Sequence, residues 1–247
     1  MLDQRQNYWL LLLITLSTSG CFSGGSYVPV RAAGERSTGA AKHHVVRKGD
    51  TLYSVAFRYG LDYKLIAEAN NIDPPYTIYL NQKLALAKTK SRRAVQATKL
   101  RQKTVTRKSA GVTKNGRLSK SQSAKINWRW PVDGVVVNGF TLSGKVNKGV
   151  DIRGRLGESV GSAADGVVVY AGSGLRGYGK LVIVKHSDRF LSAYGHNQAI
   201  LVKEGDKVKS GQVVAKIGSS GPNHEMLHFE IRKNGKPEDP LIYLPSR

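Results

Sequence analysis

Between Lys88 and Lys125 the chain carries thirteen lysines and arginines and not one aspartate or glutamate. Serine, threonine and glutamine fill much of the rest, and aromatics are scarce. Such a stretch cannot bury enough apolar surface to offset the entropy of ordering it, and its like charges repel. Whatever the 247 residues fold into must therefore form on either side of it. Residues 88–126 are predicted to be a basic, disordered linker between two folded units. The formal net charge of +22 would suit a nucleic-acid-binding protein, but a third of the 39 basic residues sit in this tether. Charge concentrated in a solvated tether is not a recognition surface, so nucleic acid is not expected as a partner. Weak, salt-screened attraction to an anionic cell wall or lipid surface is.

The N-terminus carries an apolar run, Leu10 to Leu16, too short to span a bilayer comfortably and followed by small residues up to Gly20. Residues 1–20 are therefore predicted to be a secretion signal. Cys21 is the only cysteine, so neither an intramolecular disulfide nor a cysteine-ligated zinc is available. The Gly, Ser and Ala that follow make residues 21–42 a flexible tether.

Periodicity begins at His43. In "HHVVRKGDTLYSVAFRYG" a short strand and a glycine turn precede Leu52, Val55, Ala56 and Tyr59, which recur with helical spacing along one face. Asp50 is placed to cap that helix, Gly60 to end it, and Asp62 to cap a second helix carrying Leu65, Ile66 and Ala69. Asn70-Asn71 and Pro74-Pro75 break the chain before "TIYLNQKLAL" returns as a strand. His43 and His44 are adjacent and would point to opposite strand faces, which argues against a metal pair there. The β-α-α-β pattern over 43–87, with "VVRKGDTLYSVA", "IAEANNI" and "LNQKLAL" in order, resembles the LysM domain. That resemblance implies binding of N-acetylglucosamine-containing glycans by two loops, Gly49, Asp50, Thr51, Leu52 and Asn70, Asn71, Ile72.

Residues 127–247 are nearly all strand: "GVVVYAGS", "KLVIVKHS" and "RFLSAYGHN" alternate with glycine turns, and Asn234-Gly235 signals a hairpin. An antiparallel sheet folded on itself, a sandwich or half-open barrel, is expected. In "EMLHFEIR" Met226, His228 and Glu230 share one strand face, and Leu227, Phe229 and Ile231 share the other, predicted to be the core. "NKGVDIRG", "RGYGKLVIVKH", "AYGHN" and "LHFEIR" resemble, in family order, the motifs of the lysostaphin/LytM zinc endopeptidases. By that resemblance Asp151 and His228 occupy metal-ligand positions and His196 a catalytic one. Asn147 stands where the family has its other histidine ligand, and Met226 where it has its other catalytic histidine. A neutral amide is a weak zinc ligand and a thioether cannot transfer a proton.

The whole arrangement resembles the murein hydrolase activators of the NlpD type: signal, LysM, basic linker, then a LytM domain with asparagine at the first ligand position. The implied fold is a small α+β LysM domain followed by a mainly antiparallel β domain. The implied function is non-catalytic activation of periplasmic N-acetylmuramoyl-L-alanine amidases, with peptidoglycan as the second partner and no cofactor or bound metal. Asn147, Asp151, His196, Met226 and His228 would rim the partner-binding groove, with Met226 as a flexible apolar contact. A lone cysteine after the signal resembles a lipoprotein acylation site, although Thr18 stands where that pattern prefers leucine. Lipidation at Cys21, with Phe22 after it, implies a membrane anchor in the outer membrane, facing the periplasm. The alternatives are an active zinc peptidoglycan endopeptidase and a purely structural wall-binding lipoprotein.

Overall fold

The helix starts and stops of the first unit follow local hydrogen bonding. The computed structural model describes residues 43–86, 126–219 and 225–247. The signal, Cys21 and all but the last residue of the two tethers lie outside these residues. Strand β1 (His43–Val45) pairs antiparallel with β2 (Lys83–Ala85), and helices α1 (Leu52–Tyr59) and α2 (Tyr63–Asn70) lie between them in sequence. Thr51, not Asp50, caps α1. Its hydroxyl accepts from the Ser54 amide at 3.1 Å, while the Ser54 hydroxyl accepts from the Thr51 amide at 2.9 Å, a reciprocal capping box. Asp50 sits one residue too early for this. Its carboxylate instead accepts from the Arg47 amide at 2.9 Å and pairs with His44 and Arg58. Gly60, left-handed at φ 63°, ends α1, and Asp62 caps α2 as expected.

The second unit is one antiparallel sheet of ten strands: β3 (Val136–Asn138), β4 (Val150–Arg153), β5 (Ser159–Gly161), β6 (Gly166–Gly172), β7 (Lys180–Lys185), β8 (Phe190–Ile200), β9 (Lys207–Val208), β10 (Val213–Ser219), β11 (Glu225–Lys233) and β12 (Lys236–Glu238). The path runs β3-β4-β11-β10-β8-β7-β6-β9, with β12 joined to β11 and β5 to β10. Leu227, Phe229 and Ile231 enter the main core beside Val150, Ile152, Tyr194 and Ile217. Asn234 and Gly235 both take positive φ, 51° and 80°, and close the β11–β12 hairpin as their pairing predicts.

Two features were not anticipated. The Met226–His228–Glu230 face of β11 is buried as thoroughly as the core face. Its His228–Arg232 end is covered by Tyr178, which lies against His228 and donates to Glu230, and by Phe57 of the first unit, which stacks on Arg232. Phe57 of α1 joins an apolar cluster of the second unit with Tyr170, Leu175, Tyr178 and Leu191. Polar contacts cross the same boundary: Thr51 Oγ1 donates to the Val169 carbonyl at 3.1 Å, Arg58 to that of Gly174 at 3.2 Å, and Arg232 to that of Phe57 at 2.6 Å.

Candidate functional site

Strand register assembles the site. His228 on β11 lies directly opposite Asp151 on β4, and on its other side opposite Gly195 on β8, the neighbour of His196. On the edge away from β7, strand β8 serves two partners: residues up to Gly195 pair with β11, and Asn197 onward with β10. His196 sits at the switch with φ 63°, in a bulge relative to β7. A bulky residue in that region is uncommon, and bulges of this kind turn a side chain out of the ladder. The result is a His196 ring 5.8 Å from that of His228.

Asn147, Asp151, His196 and His228 are thus brought together, with Met226 two residues from His228 on the same strand, but not as a uniform rim. Asn147 and His196 are partly exposed. Asp151, Met226 and His228 lie beneath the surface, at 4%, 3% and 1% exposure. Met226 is therefore packed, and the apolar contact predicted of it is not available at the surface. A candidate replacement is Leu142, 58% exposed, in the loop closed by the Thr141–Asn147 bridge.

Beneath the rim runs a chain of charges. Asp151 Oδ1 lies 2.7 Å from His228 Nδ1, and Glu230 Oε1 lies 3.1 Å from His228 Nε2. Arg232 Nε then donates to Glu230 Oε2 at 2.7 Å. Asn138 completes Asp151 by donating to Oδ2 at 2.9 Å, and the Tyr178 hydroxyl donates to Glu230 at 2.7 Å. Burial would disfavour the charged imidazole of His228, but hydrogen bonds and charge from the two carboxylates outweigh it and lift the pKa to about 9. Burial likewise opposes the charge on Glu230, yet Arg232 and His228 hold it down to about 2. His196 has no such partner: burial, then the neighbouring His228 charge, lowers it to about 4. At neutral pH the pair is one imidazolium beneath one neutral imidazole.

This donor set does not fit zinc. Of the three family ligand positions only Asp151 and His228 carry a strong donor, and a catalytic zinc needs about three from the protein. Two donors of one tetrahedral zinc stand roughly 3.3 Å apart, whereas Asp151 and His228 meet at hydrogen-bonding distance, 2.7 Å. Asn147 turns its amide nitrogen toward Asp151 at 3.4 Å and its oxygen to the Gly149 amide at 3.3 Å. Among the described residues no group of three or more His, Cys, Asp or Glu could hold a metal.

The glycan-facing candidates divide similarly. Gly49 and Asn71 are exposed and Ile72 partly so, but Leu52 is core at 1% exposure. Asn70 is a clip: its side chain donates to the carbonyls of Ile66 and Ala85 at 2.7 and 3.0 Å and accepts from the Ala85 amide at 2.8 Å. Asn70→Ala leaves both Ala85 groups unpaired, so it is expected to destabilise the first unit by about 2 kcal/mol. Melting of the variant checks this, and loss of wall binding with an unchanged melt would instead make Asn70 a ligand contact.

The LysM domain model matches residues 44–86 and that of peptidase family M23 matches residues 145–240. The chain is 43% identical over 245 residues to the lipoprotein NlpD/LppB homolog of Pseudomonas aeruginosa, covering 87% of this chain and 81% of that one. It is 38% identical over 257 residues to the murein hydrolase activator NlpD of Salmonella typhimurium, covering 83% and 68%. It is also 36% identical over 241 residues to the uncharacterized lipoprotein YgeR of Escherichia coli, covering 96% and 92%.

Proposed function

Because the chain belongs to the NlpD/LppB lipoprotein family, we propose that it activates periplasmic N-acetylmuramoyl-L-alanine amidases without cutting peptidoglycan itself. The observation that carries this reading is Asn147, whose amide binds Asp151 and Gly149 at the position where a zinc peptidase supplies a third ligand. A peptidase needs a third strong donor there, and a neutral amide is a poor one. Two relatives named murein hydrolase activators support the same conclusion.

The mechanism is a population shift. An amidase held inactive by its own inhibitory segment opens transiently, and the groove binds the open form better than the closed one. Activation can be no larger than that difference in affinity. Asn147, His196 and Leu142 form the contact surface, while Asp151, His228 and Glu230 hold the groove floor rigid. The LysM unit binds wall glycan through Gly49, Asn71 and the backbone of the Gly49–Leu52 turn. Acylation at Cys21 anchors the chain to the outer membrane.

The full chain mixed with a periplasmic amidase and dye-labelled peptidoglycan is expected to speed dye release over amidase alone. Leu142→Glu and His196→Asn, the latter chosen because asparagine accepts a left-handed backbone, are expected to remove most of that stimulation at unchanged wall binding. No stimulation of any amidase would favour a structural wall-binding lipoprotein.

A further inference from the structure

We infer that the LysM unit is a brace for one wall of the groove, so that partner binding depends on α1 staying docked. The inference rests on the activator reading only for its second readout.

The wall in question is the turn from Gly172 to Gly179, between β6 and β7. Tyr178 is its joint. The Tyr178 ring lies 5.4 Å from Phe57 of the LysM unit and 5.7 Å from His228 in the groove floor. Its carbonyl accepts from the His196 amide at 2.8 Å, and its hydroxyl, which donates to Glu230, accepts from Arg232 at 3.2 Å. One residue therefore touches the docked helix, the floor and the rim histidine. Arg58 holds the same turn at Gly174, whose amide donates to the Tyr170 hydroxyl at 2.8 Å.

The docking side is built for this contact and not for the LysM core. Phe57 is 2% exposed, yet the core cluster of its own unit, with Leu52, Val55, Ala56 and Ile66, does not include it. Its ring lies against the Arg232 guanidinium, 3.4 Å from ring centroid to Cζ, a cation–π stack that also desolvates the arginine. Beside it the β11–β12 turn meets the α1–α2 turn so closely that a Cβ on Gly235 would stand 2.1 Å from the Leu61 carbonyl oxygen. Undocking would return Arg232 to water and leave Tyr178 supported from one side only.

Two substitutions separate the units from opposite sides. Phe57→Lys removes the stack and sets a second cation against Arg232 without touching the LysM core. Gly235→Asn drives a Cβ into Leu61 while keeping a residue that tolerates positive φ. In the full chain, both are expected to raise amide hydrogen exchange at 173–179 and at His196 at least tenfold. Both should also raise the concentration needed for half-maximal amidase stimulation by roughly 5- to 150-fold, the usual range of coupling between sites. Retained wall binding shows that the LysM unit is still folded. Exchange at 234–236 reports undocking; undocked units with unchanged exchange at 173–179 overturn the brace, and units that stay docked in both variants overturn the reading of Phe57 and Gly235 as its seam. Faster exchange with wild-type stimulation overturns the dependence of partner binding on docking. If the unaltered chain stimulates no amidase, the activator reading fails, while the exchange data still decide the brace.

Discussion

Glu230→Gln is expected to lower the stability of the sheet unit by about 3–5 kcal/mol, one of the largest losses any single conservative change should produce here. The side chain keeps its shape and loses only its charge. Arg232 at 2% exposure and His228 at 1% then share a buried site without the carboxylate between them. Asp151 stays paired with His228, but Arg232 keeps only the Tyr178 hydroxyl, the Phe57 carbonyl and the Phe57 ring. None is an anion. Thermal unfolding monitored by near-ultraviolet dichroism would show a midpoint lowered by roughly ten degrees or more. A shift under two degrees would mean that water reaches the chain of charges and that the floor is not rigid. Arg232→Met, which removes the stranded cation and preserves volume, should be milder than Arg232→Ala.

Stability should also peak between about pH 6 and 7 and fall on both sides. His228 titrates near 9 when folded and near 6.5 when unfolded. Its contribution is whole below 6.5 and disappears as pH rises through 9, on the order of 3 kcal/mol for this buried group. His186 and His196 do the opposite. Burial lowers each to about 4, so they contribute fully above 6.5 and lose that contribution as pH falls toward 4. His186 owes its burial to packing against Trp128 and to contacts with the Asp165 carbonyl and the Ser192 hydroxyl, both at 2.7 Å. Melting midpoints from pH 4 to 10 measure the curve. His186→Gln should flatten the acid limb and Glu230→Gln the alkaline one. A midpoint that climbs steadily to pH 9 would show that His228 is neutral in the folded protein.

Much of this was legible in the residues because the interactions are local. The stripe of Leu52, Val55, Ala56 and Tyr59 marks α1, Gly60 and Asp62 punctuate the helices, and Asn234-Gly235 specifies its turn. Thr51 displaced Asp50 as the cap because a threonine three residues before a serine offers a reciprocal pair that a carboxylate one step earlier cannot reach. The motif positions of Asn147, Asp151, His196 and His228 named the residues that meet, but not their depth. Burial depends on what covers a strand, and β11 is covered on both faces by elements distant in sequence.

Two signals could have been used. His228, Glu230 and Arg232 alternate sign along one strand face, the pattern of an internal charge ladder. Phe57 lies off the apolar stripe of α1, and a large aromatic there calls for something to cover it. What it packs against, Arg232 and Tyr178, lies more than a hundred residues away and beyond a linker that hides the relationship. The left-handed backbone of His196 has no signature in sequence, because it arises where β8 changes partner.

The central claim is that this groove engages a protein rather than a metal. The most direct test uses the full chain dialysed against excess zinc, assayed for bound metal and then incubated alone with dye-labelled peptidoglycan. No stoichiometric zinc and no dye release are expected, with release appearing only when an amidase is added. One tightly held zinc per chain, together with unaided release that a chelator abolishes, would contradict it.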